Sequence, residues 1–142
     1  MALVYFDASA LVKLVVDEDG SELAARIWDG CDAALSSRLA HVEVCAALAA
    51  ARRNRDLSES GRDVAVASFD DFWSAMRTIE LTEGVQVHAG RLARDRALRG
   101  ADAIHLASAL AVGDPDLLVA TWDRRLASAT RASGLVVTPP PD

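Results

Sequence analysis

The sequence contains a single lysine, Lys13, only two cysteines, and no apolar run of the roughly 20 residues that cross a bilayer. Each scarcity excludes something. Cys31 and Cys45 lack the spacing of zinc ligands and stand among apolar or small residues. They are read as reduced, buried thiols, and no zinc site is expected. The apolar opening, residues 1–16, carries Asp7 and Lys13 inside it, with no basic segment before it and no small-residue cleavage site after it. It is therefore read as a strand and a helix of the mature protein, which is expected in the cytoplasm and away from membranes. Positive charge is short as well: 15 basic against 21 acidic residues leave a formal net charge of -6, which argues against a protein that coats nucleic acid. A nuclease stays open, because metal-binding carboxylates themselves lower the net charge.

Apolar residues make up 51% and charged residues 25%, an ordinary globular composition. The length suits one domain, assigned to residues 1–138, with residues 139–142 as a short proline-rich tail. No repeat or linker interrupts it. β-Prone runs are expected at 3–6, 33–36, 79–81, 117–120 and 135–138. Helical patterns are expected at 8–16, 22–28, 39–51, 58–77, 83–98, 102–112 and 124–132. In the 58–77 segment Ala65, Phe69, Phe72, Trp73 and Met76 recur at helical spacing, a stripe that reads first as core and second as an interface. Strands alternating with helices indicate an α/β domain whose central, mostly parallel sheet is flanked by helices. Ligands of such sheets bind beyond the carboxyl ends of the strands.

Four acids are placed to form such a site. Asp7 follows the first strand and Asp123 the fourth, and each also suits a helix N-cap. Asp102 opens its helix, where the cap reading applies again, yet it is the only formally charged residue between Gly100 and Gly113. Glu43 lies inside an alanine- and leucine-rich helix where capping is impossible. A carboxylate on a largely buried helix is costly unless it is paired or metal-bound. If the four converge, each close like-charge pair costs about 4 kcal/mol at 4 Å with an effective dielectric near 20. A cation would then relieve the cluster, and hard oxygen ligands select Mg²⁺ or Mn²⁺, either of which can activate a water for phosphodiester attack. The arginines fall into three groups: Arg52, Arg53 and Arg55; Arg91, Arg94, Arg96 and Arg99; and Arg124 and Arg125. Solvated helix surface is the default for each. The second and third groups are also candidate phosphate contacts, and Lys13 is either a phosphate contact or a snorkelling side chain.

Four segments together resemble the PIN-domain family, and VapC toxins in particular. They are Val4-Tyr5-Phe6-Asp7-Ala8-Ser9, Ser36-Ser37-Arg38-Leu39-Ala40-His41-Val42-Glu43, Gly100-Ala101-Asp102-Ala103-Ile104-His105 and Val119-Ala120-Thr121-Trp122-Asp123-Arg124-Arg125. Each motif alone is weakly specific; four in order, spanning essentially the whole chain, are strongly so. The resemblance implies a single PIN-like domain and an Mg²⁺- or Mn²⁺-dependent endoribonuclease. It also implies a cognate VapB-type antitoxin and frequent homodimerisation. Asp7, Glu43, Asp102 and Asp123 would be the acidic quartet, with Ser9 and Thr121 as hydroxyls that orient it. Trp122 stands where a tyrosine or phenylalanine is commoner in the family. Arg124 and Arg125 would bind the RNA substrate, and His105 is read as a hydrogen-bonded packing residue rather than a general base.

Two other functions compete with this reading. A non-catalytic PIN-like module that binds RNA or protein is disfavoured by the intact quartet. A phosphotransfer or receiver-type domain would use Asp7 as nucleophile. The phosphatase form wants an aspartate where Ser9 stands, and the receiver form wants a late lysine that the chain lacks.

Overall fold

A computed structural model describes residues 2–141; Met1 and Asp142, which fall within the expected domain and the expected tail, lie outside the described residues. The strands are β1 (Leu3–Phe6), β2 (Ala33–Ser37), β3 (Arg77–Ile79), β4 (Leu118–Ala120) and β5 (Val136–Thr138). The helices are α1 (Ala8–Val15), α2 (Ser21–Gly30), α3 (Arg38–Arg53), α4 (Glu59–Ala75), α5 (Glu83–Arg96), α6 (Gly100–Ala111) and α7 (Arg124–Ala132). The five strands form one sheet in the order β3-β2-β1-β4-β5, and every pairing is parallel. The expected α/β class holds, with a sheet that is parallel throughout.

A parallel sheet must be covered on both faces, and alternation along β1 shows how the cover is divided. Val4 and Phe6 join Leu11 of α1, Val44 of α3 and Phe69 of α4 in one core cluster. Tyr5 points to the other face, where it meets Leu35, Val119 and Ala109 of α6. α6 is central to that second layer: of residues 102–109, all but Ile104 are buried. α5 closes over it with Val85, Ala89 and Leu92, the apolar stripe of an otherwise polar helix.

The chain steps outward from β1 to β2 and β3, then returns to the opposite side of β1 for β4 and β5. β1 and β4 therefore flank the point where the direction of winding reverses, and connecting segments diverge there beyond the strand ends. Backbone bonds carry the ladder one step past the strands, from Asp7 N to Ala120 O (3.2 Å) and from Thr121 N to Thr138 O (3.0 Å). The turn before α2 packs against this edge. Gly20 has φ +92°, and a Cβ there would lie 2.8 Å from Trp122 Nε1, so glycine is required both by conformation and by space.

Several expectations are corrected. The helix expected over 58–77 ends at Ala75, and the strand expected at 79–81 begins at Arg77, which pairs with Leu35. Met76 turns extended and stays buried, so its helical spacing from Trp73 gave no sign that the helix had ended. The aromatic stripe, by contrast, packs against the core as its first reading had it, with Phe72 and Trp73 half-buried. Phe69 is buried, Phe72 lies 4.8 Å from the Trp28 ring in an edge arrangement, and Trp73 stacks edgewise on His41. Cys31 is half-buried and Cys45 exposed. α3 commits only Ala40, Val44 and Leu48 to full burial and leaves Val42 65% exposed, so its apolar composition overstated how deeply it sits. Among the described residues no helix is long and apolar enough to cross a membrane.

Candidate active site

Asp7 is buried at the end of β1 and caps α1: Oδ1 accepts from Ala10 N (2.9 Å) and from Ser9 Oγ (2.6 Å). Oδ2 accepts from Thr121 Oγ1 (2.5 Å). Both hydroxyls also accept a bond in turn, Ser9 Oγ from Trp122 N (2.9 Å) and Thr121 Oγ1 from Asp123 N (3.0 Å). The carboxylate thereby fastens the loop after β4 to the end of β1. Burial raises the Asp7 pKa above its ordinary 3.8, against the pull of these donors.

Asp123 caps α7, with Oδ1 accepting from Leu126 N (3.0 Å). Asp102 does not cap α6, contrary to the expectation. Arg99 is the N-cap, without a side-chain cap bond, and Asp102 lies in the first helical turn. A carboxylate there is favoured by the helix dipole, but it gains no backbone donor. Asp102 Oδ2 is buried with no hydrogen-bond partner. Its near neighbour is the Arg99 Nε at 3.5 Å, and the same guanidinium reaches Asp123 Oδ2 at 3.7 Å. Burial and then the Asp123 charge raise the Asp102 pKa, with Arg99 opposing.

Glu43 keeps about 30% of its side chain exposed and finds a partner in histidine, not arginine: Oε1 lies 2.6 Å from His105 Nε2. His105 Nδ1 is bonded to the Tyr5 hydroxyl, also at 2.6 Å. Burial and the nearby Asp7 charge push the Tyr5 phenol well above its ordinary value, so it keeps its proton. The role of Tyr5 was missed in the sequence. The available signal was a tyrosine on a strand whose neighbours are all core, since a buried phenol must find a partner for its hydroxyl.

Asp7, Asp123 and Glu43 are thus each engaged by a protein hydrogen bond, whereas Asp102 accepts none. Among the described residues no three histidine, cysteine or acidic side chains converge as a ready set of metal ligands. Two buried side-chain oxygens among the described residues lack a hydrogen-bond partner, Asp102 Oδ2 and Ser108 Oγ. Of these the carboxylate oxygen, flanked by further acids, is chemically suited to a hard cation. Arg124 and Arg125 are exposed at the start of α7. Arg124 lines an open groove with Asp123, Arg131 and Pro139–Pro141, and so brings the tail beside the site. Lys13 is committed elsewhere, to Glu18 Oε1 (3.1 Å) and Asp19 O (2.7 Å), with its ammonium 5.3 Å from the Trp122 ring centre.

The raised carboxyls have a consequence for stability. A folded-state pKa above the unfolded value means that the native protein holds protons the unfolded chain has released. The stabilisation is full below the unfolded value and is lost as pH rises through the folded one. Asp7 and Asp102 both act in this sense. Glu80, whose pKa the Arg38 guanidinium lowers, acts oppositely, but only toward and below its ordinary 4.5. The melting temperature in metal-free buffer is therefore expected to fall as pH is raised from the ordinary carboxyl value of 3.8 through the raised values of Asp7 and Asp102. A calorimetric series would check this, and a rise over that interval would contradict it.

Comparison with known proteins bears on the same residues. A model of the PIN domain matches residues 4–132. Two relatives from Mycobacterium tuberculosis, ribonuclease VapC45 and ribonuclease VapC49, are each 65% identical over 139 residues, covering 98% of this chain and 96% of theirs. Among solved structures, a Pyrobaculum aerophilum protein superposes with a TM-score of 0.72 at 22% identity, over 96% of this chain and 83% of that one. A DNA-bound VapBC from Salmonella typhimurium gives 0.67 at 15% identity, over 96% and 97%. The last two speak to the fold alone.

Proposed function

The chain belongs to the PIN domain family, and from that premise we propose that it is an endoribonuclease of the VapC kind, the toxin of a toxin–antitoxin pair, dependent on Mg²⁺ or Mn²⁺. The reading is supported by the two relatives of 65% identity, both named ribonucleases. The observation that carries it is Asp102 Oδ2, a buried oxygen with no donor, within electrostatic reach of Asp123 and Asp7 at the winding reversal of the sheet.

Asp7, Glu43, Asp102 and Asp123 are the residues that would hold the cation. When bound, it would offset the charge of the phosphodiester and lower the pKa of the attacking water. The protein's own part is positional. Ser9 and Thr121 each bind one oxygen of Asp7, which leaves that carboxylate a single orientation. Arg124 and Arg125, exposed next to Asp123, would take phosphates flanking the scissile bond. Water adds to phosphorus, the bond to the 3′ oxygen breaks, and the departing oxygen is protonated, giving a 3′-hydroxyl and a 5′-phosphate.

The nuclease domain would span residues 1–138, with 139–142 as its tail. The protein would act in the cytoplasm as a homodimer under the control of a VapB-type antitoxin. Such an antitoxin would silence it by sending a basic side chain, an arginine, into the acids in place of the cation.

The test is incubation of the purified chain with total cellular RNA in Mg²⁺, Mn²⁺ or chelator, followed by sequencing of the 5′ ends. Discrete cuts that the chelator abolishes are expected. Intact RNA in all three conditions would leave a non-catalytic binding module as the better account.

A further inference from the structure

Tyr5, His105 and Glu43 come from β1, α6 and α3, and two hydrogen bonds of 2.6 Å join them in a line. Tyr5 and His105 are 0% and 3% exposed; only the Glu43 end reaches solvent. The proton positions along this line follow from counting. A buried phenol needs an acceptor for its one proton, and His105 Nδ1 is bonded to it. A ring nitrogen that accepts carries no proton in a neutral imidazole, so the ring proton sits on Nε2. Nε2–H then faces Glu43 Oε1, a carboxylate oxygen placed to accept it. The other neutral tautomer would set a nitrogen lone pair against the carboxylate, while the phenol could turn its proton to the nearby Ser108 hydroxyl, so it is the Glu43 contact that selects Nε2–H.

We infer that Tyr5 and His105 are positioning residues for Glu43: the phenol holds the imidazole at Nδ1, and the imidazole N–H clamps Oε1, leaving Oε2 in one orientation at the sheet edge. Packing alone does not account for the pair. Two apolar side chains would fill the same volume without burying a hydroxyl and an imidazole that need partners. The line also ends on the one member of the quartet carried in mid-helix, where neither a cap bond nor a backbone donor restrains it. Glutamate has more rotatable bonds than aspartate and loses more freedom on being held, so it has most to gain from a clamp. That Glu43 serves RNA cleavage rests on the nuclease reading above; the clamp itself does not.

The experiment uses the full chain and its Tyr5→Phe and Glu43→Ala variants. Ring ¹⁵N NMR of His105 is expected to show an unprotonated Nδ1 and a protonated Nε2 in the parent. Tyr5→Phe should shift the Nδ1 resonance by removing its donor, and Glu43→Ala should mix the tautomers and release the Nε2 proton to fast exchange. On an RNA oligonucleotide bearing a mapped site, Tyr5→Phe is expected to lower kcat about 10-fold with KM nearly unchanged and the melting curve still cooperative. An Nδ1-protonated parent, or a folded Tyr5→Phe with full kcat, would overturn the inference. If the parent cuts no RNA, the nuclease reading fails by itself, and the ring spectra of the three proteins decide whether the clamp exists.

Discussion

Asp102→Asn is expected to lower RNA cleavage by about 10²–10³-fold and, in the same preparation, to raise the melting temperature by about 2–4 °C. The two effects share one cause. Asp102 Oδ2 is buried, accepts no hydrogen bond and lies in the field of Asp123, so its charge is maintained at a cost to the fold. An amide of the same shape removes the repulsion and can donate toward Asp123. The attraction lost is that of Arg99, 3.5 Å away and two-thirds exposed, where solvent screening leaves little to lose. Steady-state cleavage assays alongside calorimetry would check both halves. If activity and melting temperature fall together, Asp102 is a structural residue, and the cation site must be sought elsewhere.

Asp7→Ala should silence the enzyme to a similar degree but move stability the other way, by about 2–3 kcal/mol of loss in urea titrations. Asp7 is also a buried carboxylate, yet every contact it makes holds the fold. Removing it takes the cap from α1 and the acceptor from Ala10 N, Ser9 Oγ and Thr121 Oγ1. The hydroxyls would then lose their reason to hold Trp122 N and Asp123 N, and the loop after β4 would come loose from β1. Relief of the buried charge offsets part of this, and for that reason the expected loss stays below the sum of the broken bonds. A variant as stable as the parent would show that the loop is held by packing alone. Two acids of the same edge would thus be distinguished by stability, although activity alone could not separate them.

Much of this arrangement was legible in the sequence because it is written locally. Asp7 and Asp123 precede helical patterns directly, and the caps formed as those patterns indicated. The β-prone run expected at 3–6 is strand β1, and the two-residue period of a strand then sends Val4 and Phe6 to one face and Tyr5 to the other. What escaped depends on contacts far apart in the chain. Tyr5 and His105 are 100 residues apart, and no spacing rule connects them. The start of β3 is set by pairing with Leu35, not by the residues of β3 themselves. Asp102 misled in a different way. Gly100 and Ala101 look like a loop before a cap, but both are helical, and the cap falls on Arg99, whose side chain turns instead to the acids. Cys45 misled through composition, because an alanine-rich helix can lie half in solvent at little cost.

The bonds from the loop after β4 to Asp7 and to Ser9 span 114 and 113 residues. In synthesis Asp7 and Ser9 are made early, so for most of that time Asp7 lacks Thr121 and Ser9 lacks Trp122, and Asp123 does not yet exist. The acidic edge is completed only when the last strand-and-helix unit has left the ribosome and docked. A chain truncated after residue 120 would keep Asp7, Glu43 and Asp102 but lack Asp123 and the Thr121 bond that orients Asp7, so on the nuclease reading no cleavage is expected of it.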